Sequence, residues 1–139
     1  MACSNYKDIS SVLKEFQITY TEANFIEEIE FSISDYFRED LQFDKPYFLL
    51  VEAKQDKFAE GWAQCLAEMV AAQKLNNDLP ITVFGIVSNG EKWEFGKLED
   101  DKLTKTIQPY IIYQLDRLFA AVNYVFQECE SQLNELVPV

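Results

Sequence analysis

PYFLLVEAKQD, Pro46 to Asp56, reads as a buried β-strand with a carboxylate and an ammonium set near its end. Tyr47, Leu49, Val51 and Ala53 fall on one face and Phe48, Leu50, Glu52 and Lys54 on the other, so both faces are apolar until the last residues. That pattern predicts an internal strand. A charge taken out of water without a partner is costly, so Glu52 and Lys54 on one inward face must pair, titrate or serve a ligand.

Upstream of this strand, SNYKDISSVLKEFQ places Ile9, Val12, Leu13 and Phe16 at helical spacing after candidate caps at Ser4 or Ser10. IEFSISDYF then alternates, with Ile29, Phe31, Ile33, Asp35 and Phe37 on one strand face, and REDLQFDK is a turn. Downstream, Asp56 is a candidate cap for a helix whose stripe is Phe58, Trp62, Cys65, Leu66, Met69 and Ala72, with Glu60, Gln64, Glu68 and Ala71 on the opposite flank. PITVFGIVSNGEKWEFGKL predicts two strands joined at Asn89-Gly90, where both positions tolerate positive φ. EDDKLTKT reads as an acidic connection. Pro109 then opens a helix running to about Leu136, with Ile111, Leu115, Leu118, Val122, Phe126 and Cys129 as its stripe. The predicted order is α-β-β-α-β-β-α, a single α/β or α+β domain over residues 1–139, with a mixed sheet flanked by helices.

Composition narrows the chemistry. The chain has no histidine, which removes Ser-His and Cys-His catalysis and any metal site built on imidazole. Its three cysteines are widely spaced and predict neither a disulfide framework nor a zinc site. A bound metal would therefore be held by oxygen. The net charge of −12 argues against general affinity for nucleic acid, which depends on Lys and Arg displacing counterions from phosphates. The apolar runs are too short to span a bilayer and MACSNYKDISS lacks the pattern of a signal peptide, so the expectation is a cytoplasmic protein with no membrane partner.

Glu52 and Lys54 form an E-x-K at the exit of a strand, and the preceding predicted strand carries Asp35 on its own apolar face. If the REDLQFDK turn folds the two into a hairpin, Asp35 falls near Leu49 to Val51, within reach of Glu52. Two carboxylates and a lysine at one point suit a hard cation such as Mg²⁺, which takes one or two carboxylates plus water and substrate phosphate. With Lys54, the cation would offset charge building on a pentavalent phosphorus.

These residues resemble the PD-(D/E)xK superfamily of restriction-endonuclease-like nucleases. VEAK looks like its (D/E)-x-K half-motif, and Gln64 is similar in position to the glutamine on the family's crossing helix. The resemblance spans roughly Phe31 to Val87 and implies Asp35 and Glu52 as metal ligands, with Lys54 orienting the attacking water or stabilising charge. No Pro-Asp dipeptide occurs, Ser34-Asp35-Tyr36 being the nearest substitute, and the chain has room for about two strands, not three, before the crossing helix. It thus resembles a shortened member.

Two functions are implied, a Mg²⁺-dependent DNA phosphodiesterase and a non-catalytic nuclease-derived protein used for self-association or partner binding. An acidic DNA mimic is a third, suggested only by charge. Read without the resemblance, Glu52 and Lys54 are a solvated strand-end ion pair, Asp35 a turn carboxylate and Gln64 a polar helix flank. The shortened core predicts a homodimer, with Tyr113, Ala120 and Tyr124 as a second apolar strip on the last helix.

Overall fold

The computed structural model describes residues 7–26, 48–75 and 81–136. In chain order these form α1 (Ile9–Glu15), β1 (Thr19–Glu22), β2 (Phe48–Glu52), a 3₁₀ turn (Lys54–Asp56), α2 (Phe58–Leu75), β3 (Val83–Ser88), β4 (Lys92–Glu99), β5 (Lys102–Lys105), β6 (Tyr110–Ile111) and α3 (Leu115–Leu136). The mixed α/β character predicted from the sequence is observed. The predicted strand IEFSISDYF, its turn and Asp35 lie outside the described residues, as does Ser4.

The strands form one sheet in the order β1-β5-β4-β3-β2, with β6 also paired to β4. β2 and β3 are parallel, as are β1 and β5, while β4 runs against both of its neighbours. Parallel neighbours need a crossover, and α2 supplies the one between β2 and β3. The carboxyl ends of β1, β5, β3 and β2 therefore share one edge of the sheet, together with the start of β4.

Alternation along the strands divides the interior into two layers. Val51, Val83, Val87, Leu98 and Leu103 join Trp62, Leu66 and Met69 of α2 and Val12 of α1 in one cluster. Phe84, Ile86, Phe95 and Tyr110 join Leu118, Ala121, Val125 and Cys129 of α3 in the other. β3 is the strand buried on both faces, all six of its residues being enclosed.

α2 sits close to the sheet because three glycines allow it. A Cβ added at Gly61 would meet Val87 at 2.9 Å, one at Gly85 would meet Met69 at 2.7 Å and Cys65 at 2.8 Å, and one at Gly96 would meet Trp62 at 2.9 Å.

Several elements depart from the sequence reading. α1 is capped by Asp8, whose carboxylate accepts from the Ser10 N–H at 2.9 Å, so Ser10 is the donor and not the cap. EDDKLTKT is a tight hairpin and a strand, with β5 paired to both β4 and β1. The last helix begins at Leu115 and not at Pro109, because Tyr110 and Ile111 pair with Trp93 and Lys92. The β3–β4 hairpin is present, but its turn centres on Gly90 and Glu91. Gly90 takes the positive φ of 94°, while Asn89 closes the turn from outside with its side chain.

Candidate functional site

β2 ends at the shared carboxyl edge, and so does the E-x-K. Glu52 is the last residue of β2, opposite Ser88 of β3, and the Ala53 N–H donates to the Ser88 carbonyl at 2.8 Å. Lys54 then opens the 3₁₀ turn, which closes when the Lys57 N–H donates to the Lys54 carbonyl at 2.9 Å. Ala53 is buried between the two charged residues, but Glu52 and Lys54 are both exposed. The expectation of two inward charges is therefore corrected. β2 pairs with β3 on one edge and has no second partner strand among the described residues, and Leu50 on the Glu52 face is 59% exposed. Neither charge bears the cost of burial, and no ion pair joins them among the described residues.

Asp56 ends the 3₁₀ turn in the left-handed region at φ 60°. Its carboxylate accepts a hydrogen bond from the Asn89 side-chain amide, so it ties the turn to the β3–β4 hairpin. Helix α2 starts two residues later, at Phe58. Gln64 is exposed on the flank of α2, while Gly61 and Cys65 on either side of it pack against the sheet. Glu52, Lys54 and Asp56 thus share one edge, Gln64 lies on a solvent-facing flank, and Asp35 lies outside the described residues.

A second polar group at the same edge was not anticipated from the sequence. Glu94 of β4 accepts the Trp62 indole N–H at 2.7 Å and pairs with Lys92 at 3.4 Å and with Lys105 of β5 at 3.7 Å. The Lys105 ammonium stands 4.7 Å from the Trp62 ring centroid, and Lys92 stands 4.7 Å from that of Phe58. Burial pushes the Lys105 amine below its ordinary pKa, opposed by the nearby charges of Glu94 and Glu22. Tyr20 donates to Glu22 at 2.6 Å, and burial together with that bond pushes its phenol above its ordinary pKa. This group faces α2. Strand alternation after the inward Val51 sends Glu52 to the α3 side, so the two groups are separated by the sheet.

Glu94 has its oxygens occupied by three donors, which fits a structural hub better than a metal ligand. Among the described residues no three His, Cys, Asp or Glu side chains converge as a metal-holding group. A depression of about 320 Å³ opens at the opposite edge of the sheet, beside Thr82, Lys97 and Glu128. Its lysine is paired with Glu99 at 3.4 Å, and Gln132 both accepts from the Thr82 N–H at 2.6 Å and donates to the Thr82 carbonyl at 3.0 Å. Gln132 thereby ties α3 to the start of β3. None of the described helices is long and apolar enough to cross a membrane.

No protein-family model matches this sequence, and no curated protein or solved structure proves similar to it.

Proposed function

We propose that the chain is a nuclease of the PD-(D/E)xK kind that hydrolyses DNA phosphodiesters with a divalent cation. The observation that carries this reading is the parallel β2–α2–β3 crossover, whose first strand exits through Glu52 and Lys54, both solvent-accessible and separated by Ala53 at the carboxyl edge of the sheet. Open parallel sheets bind ligands at this edge, because the strand ends and the turns after them leave a crevice there.

In this reading Glu52 is the described carboxylate that would hold Mg²⁺, an ion content with one or two carboxylates when water and phosphate complete its shell. Asp35 would be the second. When bound, such an ion supplies Lewis-acid polarisation of a phosphoryl oxygen. Lys54, at the same strand exit, would orient the attacking water and offset charge on the phosphate as the water oxygen bonds to phosphorus, its proton passes to solvent and the ester bond breaks. Gln64 enters only through its likeness in position to the family's helix glutamine.

A second reading is favoured by a different observation. Ile107, Ile111, Tyr113 and Leu115 are all exposed within one short stretch, which suits a non-catalytic chain that self-associates or docks a partner. The test is a Mg²⁺ and Mn²⁺ titration by calorimetry beside a plasmid-nicking assay. Binding with nicking is expected for the nuclease, and silence in both arms leaves the second reading standing.

A further inference from the structure

We infer that Asn89 is a positioning residue for Lys54, acting through a hydrogen bond to Asp56 that latches the 3₁₀ turn onto the β3–β4 hairpin. The inference rests on the nuclease reading for its purpose, and on the geometry alone for the latch.

Lys54 leaves the sheet at a point where nothing in the strand ladder fixes it. The last ladder contact is the Ala53 N–H to the Ser88 carbonyl, and after it the backbone turns within three residues. That turn has Asp56 at φ 60°, a left-handed conformation that aspartate tolerates better than most non-glycine residues but that is less populated than its extended and helical ones. Asn89 supplies the support. Its carbonyl oxygen accepts from the Glu91 N–H at 3.0 Å and the Lys92 N–H at 2.8 Å, which fixes the side chain in the hairpin turn. Its amide nitrogen is then left to donate across to the Asp56 carboxylate. One side chain thereby locks two turns together, and Lys54 begins the turn that is held.

The partners can be reversed. Asn89→Asp keeps an oxygen for the hairpin turn but cannot donate to Asp56, and it sets two carboxylates face to face. Asp56→Gly removes the acceptor while accepting the left-handed φ without strain. The double variant Asn89→Asp with Asp56→Asn rebuilds the bond with donor and acceptor exchanged, since asparagine also tolerates that φ.

Limited trypsinolysis reads the turn directly, because Lys54 is itself a cleavage site. Cleavage after Lys54 should be about tenfold faster in each single variant, as expected when a local opening is freed by one hydrogen bond, and should return towards the wild-type rate in the exchanged pair. Mn²⁺-dependent nicking should fall and recover in the same order. Unchanged cleavage in both single variants overturns the latch. Nicking by the wild type that persists at full rate in both single variants overturns the positioning role. A wild-type chain that neither binds Mn²⁺ nor nicks plasmid, with the tryptic pattern as expected, upholds the latch and removes the nuclease reading.

Discussion

The indole N–H of Trp62 donates to Glu94 at 2.7 Å, joining the first turns of α2 to the middle of the sheet. Glu94 also pairs with Lys105, and the two side chains are only 18% and 17% exposed. Removing the carboxylate therefore orphans a buried indole donor and a half-desolvated ammonium together. We expect Glu94→Ala to lower unfolding stability by about 2 kcal/mol and Glu94→Gln by about 1 kcal/mol, since the amide still accepts from Trp62. Urea denaturation checks both, and equal losses would show that the indole bond contributes nothing.

The same indole limits Gly96. An added Cβ there would stand 2.9 Å from Trp62 Cη2 and 3.1 Å from Cζ3, and Trp62 is 1% exposed with its nitrogen held. Gly96→Ala should cost about 2 kcal/mol through overpacking. In a Trp62→Phe background, where those ring atoms are gone, the cost should shrink to less than about 1 kcal/mol. A double-mutant cycle in denaturant measures the difference, and an unchanged cost would place the strain elsewhere.

These contacts mark where the sequence could and could not be read. The β3–β4 hairpin was legible because alternation and an Asn-Gly pair are both local signals, and so was α2, whose predicted stripe packs against the sheet. β5 was not legible, because of its four residues only Leu103 is apolar and its pairing with β4 and β1 leaves no mark on polarity. Tyr110 and Ile111 share helical spacing with the apolar residues of α3, yet tertiary pairing to β4 takes them into a strand. The Glu94–Lys105 contact depends on register, with Lys105 set opposite Gly96, and no short window of sequence carries it. Glu52 and Lys54 were placed correctly at a strand exit, but the apolar run before them overstated their burial, because Leu50 faces solvent.

Alkaline titration should expose the buried thiols. Burial pushes Cys65 up, and pushes Cys129 up to about 12 with a smaller contribution from Glu128. The unfolded chain releases its thiol protons at about pH 8.5. Folding therefore gains from these groups fully below that pH, and loses the gain as pH rises through the folded values. Tyr20 acts in the same direction, while Lys105, pushed down, penalises the folded state at neutral pH and recovers as pH rises towards the unfolded lysine value. Three groups oppose one. We expect stability to fall between about pH 9 and 12, by up to about 1.4 kcal/mol per pH unit for each thiol, with a shallower fall in Cys129→Ala. Denaturant midpoints across that range give the slope, and a flat profile would sink the assignment of buried, protonated thiols.

Lys54 is exposed and opens a turn whose own carbonyl makes the closing hydrogen bond, so its side chain is not needed for packing. In the nuclease reading Lys54→Ala should reduce nicking by roughly a hundredfold or more, while unfolding stability changes by less than about 0.5 kcal/mol. Wild-type nicking in the purified variant would assign the activity to another protein, and a large loss of stability would make Lys54 structural.

Self-association should use a different surface from the strip expected on the last helix. Ala120 is buried within the chain and Tyr124 is half-buried, its ring 6.4 Å from that of Phe25, so neither offers an open face. Tyr113 is 80% exposed, and Ile107, Ile111 of β6 and Leu115 at the start of α3 are exposed in the same stretch of chain. An exposed tyrosine with exposed aliphatic residues near it in the chain is a composition that interfaces favour, because tyrosine buries much area for little loss of side-chain freedom. β6 is also only two residues long, which leaves little strand edge for extended pairing and makes side-chain packing the main source of affinity. We expect the chain to sediment as a dimer at micromolar concentration and Tyr113→Asp to weaken the dimer about a hundredfold, since a charge would have to be desolvated at the centre of each copy. Ala120→Asp, a change inside the fold, serves as the contrast and should lower the unfolding midpoint instead. Sedimentation equilibrium over a wide concentration range decides between them, and monomer mass at every concentration of the wild-type chain would rule out the dimer.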